Sequence, residues 1–93
     1  MTNSTRIIEI SFRFSLQILK LCRLLNEEKE YVLAKQLLRS GTSIGANIEE
    51  ATAGQSRKDF LNKMSIASKE ARETQYWLRL LNDSGISKID FTP

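Results

Sequence analysis

The sequence predicts an all-α protein, an up-down antiparallel helical bundle, and three observations carry that prediction. Chain breakers are scarce: the 93 residues hold one proline, at the last position, and only four glycines, too few for a many-turned β fold. Apolar residues recur at steps of three and four along three long stretches, the spacing that gathers a stripe on one side of an α-helix. Hydrophobic residues make up 41% and charged residues 27% of the chain, the balance of a packed globular domain rather than a disordered one. A chain this short forms one domain, residues 1–93. It buries a modest share of its surface, so self-association is a natural way to bury more.

The first helix is predicted over about 5–28. Ile7, Ser11, Phe14, Ile18, Leu21 and Leu25 draw one stripe, and Ile8, Phe12, Ser15, Leu19 and Cys22 draw a second beside it. A face that wide suits a helix touching more than one neighbour. The run Asn26-Glu-Glu-Lys-Glu30 reads as the connection, its acids well placed for the next helix N-terminus. The second helix is predicted over about 30–53, with the seam Ala34, Leu37, Gly41, Ile44, Ile48 and Ala51, and Gly54 as its stop. Ser56, with Asp59 three residues on, forms an approximate capping box for a third helix over about 56–83. That helix has the cleanest seam: Phe60, Met64, Ala67, Ala71, Thr74, Leu78 and Leu81, with Gly85 just past its end. In the tail, residues 84–93, Ser87-Lys-Ile-Asp90 reads as one more capping box. It announces a fourth helix, yet the stub that follows is too short to be stable alone: either the tail folds back locally, or a fourth helix present in relatives is cut from these 93 residues.

The middle of the second helix is unusual. Arg39-Ser-Gly-Thr-Ser-Ile-Gly-Ala46 places Gly41 and Gly45 inside the helix, each costing roughly 1 kcal/mol relative to alanine. Close backbone approach of a neighbouring helix is the natural compensation. Arg39, Ser43, Asn47 and Glu50 form a polar strip beside the seam, which is either a solvated edge or a partly buried hydrogen-bonded ladder. Asn47 is the pivotal residue, since a buried Asn can make up to about four hydrogen bonds and fix register.

These residues carry a resemblance. The segments Tyr31 through Arg39, Ser40 through Ala51, Asp59-Phe60, Ile66-Ala67 and Lys69 through Leu81 together cover most of residues 10–85. They resemble the bacterial four-helix bundle proteins encoded by intervening sequences within 23S ribosomal RNA genes. The resemblance implies an antiparallel bundle, a homopentameric ring, and a link to RNA or the ribosome. Accessory proteins of diversity-generating retroelements are similar in fold, and they imply nucleic acid and a reverse transcriptase as the kinds of partner involved. Relatives carry a full fourth helix where this chain has Ser87 to Pro93. The expectation for this chain is therefore an open groove exposing apolar seam, a surface that usually ends up covered by a partner.

Catalytic machinery is not legible in the residues. There is no histidine, which removes the commonest general base and transition-metal ligand. Glu70 and Glu73 have i,i+3 spacing but lack the histidines of a di-metal bundle, and they are expected to pair with Lys69, Arg72 or similar neighbours. The lone Cys22 rules out an intrachain disulfide, fits a reducing cytosol and is expected to pack in the core. No cofactor, metal or small-molecule substrate is expected. No apolar run approaches the roughly 20 residues of a membrane span, and the N-terminus does not read as a signal peptide, so the protein is expected in the cytoplasm. Net charge is +3, which permits nucleic-acid contact without demanding it. Arg6, Arg13 and Lys20 recur every seventh residue, with Arg23 one turn on, and Arg57, Lys58 and Lys63 cluster at the start of the third helix. They form either a candidate RNA- or DNA-binding surface or ordinary solvated faces. Phe12, Tyr31, Tyr76 and Trp77 read as core or subunit-interface anchors ahead of base-stacking platforms. Two functions are open: a non-enzymatic oligomeric scaffold associated with RNA, or a protein-interaction module whose partner fills the open groove.

Overall fold

The computed structural model describes residues 3–54 and 56–89. They form three helices, α1 (Asn3–Glu27), α2 (Tyr31–Thr52) and α3 (Arg57–Ser84), each within two residues of its predicted limits, and no strand. Asp90 and Pro93, which entered the expectations above, lie outside the described residues.

The helix ends show how the chain turns. After α1, Lys29 takes φ 65; its N–H bonds the Asn26 carbonyl at 3.0 Å, and that of Glu30 reaches back to Leu25 at 2.9 Å. This paired closure is a Schellman motif, with a lysine where glycine is usual. The stop after α2 differs from expectation. Gly54 does not take a positive φ; Ala53 stays right-handed, its N–H bonding Glu49, while that of Gly54 bonds Ala51 at 3.2 Å. At α3, Ser56 Oγ accepts the Asp59 N–H at 3.1 Å, and Gly85 closes the helix with φ 70. A fourth helix is not among the described residues. Ser87 Oγ accepts the N–H of Ile89, two residues on, at 3.0 Å, and the Asp90 half of the expected capping box lies outside the described residues.

One cluster forms the core: Ile18, Cys22 and Leu25 of α1, Ala34 and Leu37 of α2, and Leu81 of α3, with Ile89 of the tail packed against it. Where α1 crosses α2 the two glycines meet it. A Cβ on Gly41 would stand 2.8 Å from Ile18 Cγ2, and one on Gly45 3.3 Å from the Ser11 carbonyl oxygen. That is the close approach expected to compensate for glycine inside a helix. Between α2 and α3 the buried contact includes a polar pair: Thr74 Oγ1 hydrogen-bonds Ser40 Oγ at 3.0 Å and the Glu70 carbonyl at 2.8 Å, so neither hydroxyl is left unsatisfied.

The arrangement is asymmetric. Both α1 and α3 pack along α2, yet no Cα of α1 lies within 8 Å of any in α3. Among the described residues α1 and α3 thus each line α2, and no helix stands between the two. The third-helix seam accordingly divides. Ala67, Thr74 and Leu81 are buried against α2, whereas Ala71 and Phe60 are exposed and Met64 and Leu78 half-buried. A seam wide enough for two neighbours has met one.

Candidate interaction surfaces

Two apolar surfaces stand out, on opposite sides of α1. The first lies at the corner between α1 and α3 that no described helix occupies, the open corner. Ile7, Ile10 and Phe14 of α1 meet Ile44 and Ile48 of α2 around a hollow of about 300 Å³, and Ile10 is 57% exposed. Helical phase places Ala71, Met64, Phe60 and Leu78 of α3 on the facing wall, since they follow the buried Ala67–Thr74–Leu81 line on the side away from Glu70 and Glu73. The second surface is the outer flank of α1. Phe12 is 56% and Leu19 48% exposed, and Leu19 lines a shallow cleft with Cys22, Arg23, Asn26, Glu27 and Leu38. The sequence showed α1 to be two-striped; in the structure Cys22 of the second stripe joins Ile18 and Leu25 of the first in the core, while Phe12 and Leu19 stay exposed.

The polar strip of α2 also divides. Arg39 crosses to α3, donating to Glu70 at 3.2 Å and to Glu73, and Glu73 Oε2 also accepts the Trp77 indole N–H at 3.0 Å. The two glutamates are therefore paired across helices, not with Lys69 or Arg72 as expected from their own helix. Arg39 offers a longer, forked donor at the right height, which no reading of α3 alone reveals. Asn47 is half-buried and donates to the Ser43 carbonyl at 2.8 Å and to Ser43 Oγ at 3.1 Å. Its bonds stay within α2, so it fixes no register between helices. Glu50 is exposed. Gly41 and Gly45 belong to the α1 contact, a packing role.

The basic residues do not form one patch. Arg6, Arg13 and Lys20 are exposed and run along the edge of α1 that borders the open corner, with Arg13 paired to Glu9 at 2.7 Å. Arg23 lies on the other flank, in the cleft beside Leu19. On α3, Arg57 falls on the open-corner side, Lys58 faces outward, and Lys63 is half-buried in phase with the α2-facing line. The predicted cluster at the start of α3 is thus spread around the helix, because consecutive residues point about 100° apart.

Cys22 is buried. Its thiol donates to the Ala34 carbonyl at 3.3 Å, and burial pushes its pKa up, the opposite of what a nucleophile needs. Among the described residues no three Cys, Asp or Glu side chains converge in a way that could hold a metal. No helix among them is long and apolar enough to cross a membrane.

Comparison with known proteins places this arrangement. No curated protein matches. Among solved structures, the chain is similar to a protein of unknown function from the S23 ribosomal protein family of Bacteroides thetaiotaomicron VPI-5482. The two are 50% identical with a TM-score of 0.87, over 94% of this chain and 79% of that one. Residues 3–91 match the family described as 23S rRNA-intervening sequence protein. With the glycine crossing, the two-striped α1 and a match spanning nearly the whole chain, this protein belongs to the 23S rRNA-intervening sequence protein family.

Proposed function

We propose that this protein is a non-enzymatic scaffold that works by self-association, with RNA as the ligand of the assembled form. The observation that carries the reading is the outer flank of α1. Phe12, Leu16 and Leu19, each more than 40% exposed, point away from the open corner, so no further helix in that corner could cover them. Exposed apolar surface of this extent marks an interaction site, and a second copy is the partner always at hand. The family resemblance supplies the size of the assembly, a closed ring of five. RNA is supported by the family's link to ribosomal RNA and by the exposed bases of α1, Arg6, Arg13, Lys20 and Arg23. Their modest charge per chain adds up when repeated around a ring.

Light scattering in solution tests the assembly. The expected mass is five times the 10.6 kDa of the chain, and Phe12→Asp should reduce it; a monomeric wild type sinks the scaffold. For the RNA part, a gel shift against single-stranded and duplex RNA should show affinity falling steeply with salt. Absence of binding even near ~50 mM salt overturns it.

A further inference from the structure

We infer that the chain self-associates head to tail: the Tyr76–Leu80 ridge on α3 of one copy seats in the outer α1–α2 cleft of the next. The inference rests on the self-association proposed above and names the second surface that it needs. The two surfaces differ in relief. On the outer flank of α1, Leu19, Cys22 and Arg23 line a cleft of about 440 Å³ together with Leu38 of α2, and two hollows cannot fill each other. On α3, Tyr76 is 58% and Leu80 39% exposed, and the Tyr76 ring stands edge-on to Trp77 with centroids 5.1 Å apart. The Trp77 indole is itself tied to Glu73 at 3.0 Å, so the ridge has a fixed support. Tyrosine and tryptophan are the side chains that most often anchor an interface. Helical phase sets Tyr76 and Leu80 on the side of α3 away from Phe60, Met64, Ala71 and Leu78, so a helix lying between α1 and α3 would leave them exposed.

The two surfaces are also level. Ser40 meets Thr74 and Leu37 shares the core with Leu81, so along the antiparallel α2–α3 pair Leu38 stands at the height of Tyr76. Cleft and ridge thus lie at one height on far sides of the bundle. Rotation alone, without translation along the helices, carries Tyr76 of one copy to Leu38 of the next, which is the condition for a head-to-tail contact that closes on itself. Charge agrees with the same alignment. Ile18 meets Gly41 and Cys22 meets Ala34, so α1 is antiparallel to α2 as well, and α1 and α3 run in the same direction. Tyr76 set beside Arg23 therefore brings Arg79 and Asp83 to the level of Glu27 and Lys29, opposite in sign at both places, with the Arg23 guanidinium against the tyrosine ring. All five charged residues are exposed, and none is in an ion pair among the described residues.

Light scattering and covalent trapping test the contact together. Tyr76→Asp, at an exposed position, should reduce the assembled mass to the 10.6 kDa of one chain with an unchanged circular dichroism spectrum. For trapping, Glu27 and Arg79 are changed to cysteine, singly and as the pair E27C/R79C, and treated with a short bis-maleimide; the native Cys22 is buried and common to every variant. The two positions lie on far sides of the bundle, so one chain cannot bridge itself. E27C/R79C should give a ladder of covalent multimers on a denaturing gel. A mixture of the two single variants, refolded together, should stop at the dimer, and neither single variant should cross-link alone. Cross-linking of Glu27→Cys by itself overturns the inference, because the flank then meets its own copy. A Tyr76→Asp protein of wild-type assembled mass overturns it too, as does an assembled E27C/R79C that yields no ladder. In each of those cases the self-association reading survives, whereas a monomeric wild type removes that reading and this inference with it.

Discussion

At the residue scale, two positions show what a single side chain does to this fold. Lys29 holds a left-handed conformation in the turn after α1, where a Cβ is penalised and glycine is not. Lys29→Gly is expected to stabilise the protein by about 1 kcal/mol, seen as a raised urea midpoint at unchanged m-value; a fall in the midpoint would show that the lysine contributes something beyond its backbone. Gly41 is the reverse case. Alanine there should gain roughly 1 kcal/mol of helix propensity. Its Cβ would nevertheless sit 2.8 Å from Ile18 Cγ2 and 2.9 Å from Cγ1, and Ile18 is buried with its branched carbon held stiff. Overpacking of this sort costs about 1–3 kcal/mol, so Gly41→Ala should destabilise on balance. A double-mutant cycle with Ile18→Ala should show favourable coupling, since the smaller partner makes room for the new methyl. The sequence made both glycines legible as a helix crossing because glycine inside a helix requires a compensating contact. It left Lys29 invisible: a lysine in a charged linker gives no sign that it carries a glycine's conformation.

At the level of the element, what could be read depended on how many neighbours each face has. All three helices and the caps at Ser56 and Gly85 followed from spacing and local chemistry, because those signals are contained within a few consecutive residues. The partners of Glu70 and Glu73 did not. Arg39 lies more than thirty positions away, and only the pairing of α2 with α3 brings it there. Likewise the α3 seam announced a wide apolar face without showing that half of it stays uncovered. The docking of the tail depends on a carboxylate. Glu28 accepts hydrogen bonds from the Ser87 hydroxyl and from the Lys88 N–H at 3.0 Å, and chiefly the Ser87 bond holds its carboxyl below the ordinary value of 4.5. A depressed folded-state pKa means that this docking contributes fully above 4.5 and is lost as pH falls through the lower, folded value. The Lys88 amide resonance should therefore move on acidification below pH 4.5, and Glu28→Gln should flatten that response. An Lys88 amide that titrates unchanged in Glu28→Gln would mean the tail senses another group.

For the whole molecule, the distribution of apolar surface decides how stability behaves. A chain of 93 residues has little core to spare, and here large hydrophobics such as Ile10, Phe12 and Leu19 remain about half exposed. A bundle built this way gains stability from whatever covers those faces, and a partner that binds only the folded state raises the melting temperature in proportion to the logarithm of its concentration. If the partner is a second copy seated on the outer flank of α1, dilution alone should lower Tm. Across about a hundredfold range of protein concentration the wild type should show a rise of several degrees, since one kcal/mol moves Tm by roughly 4–8 °C in a domain of this size. Phe12→Asp should melt at one temperature throughout that range, close to the wild type at its most dilute, because the substituted side chain is already in solvent and the core is untouched. A wild-type Tm independent of concentration would assign the outer flank to a different molecule.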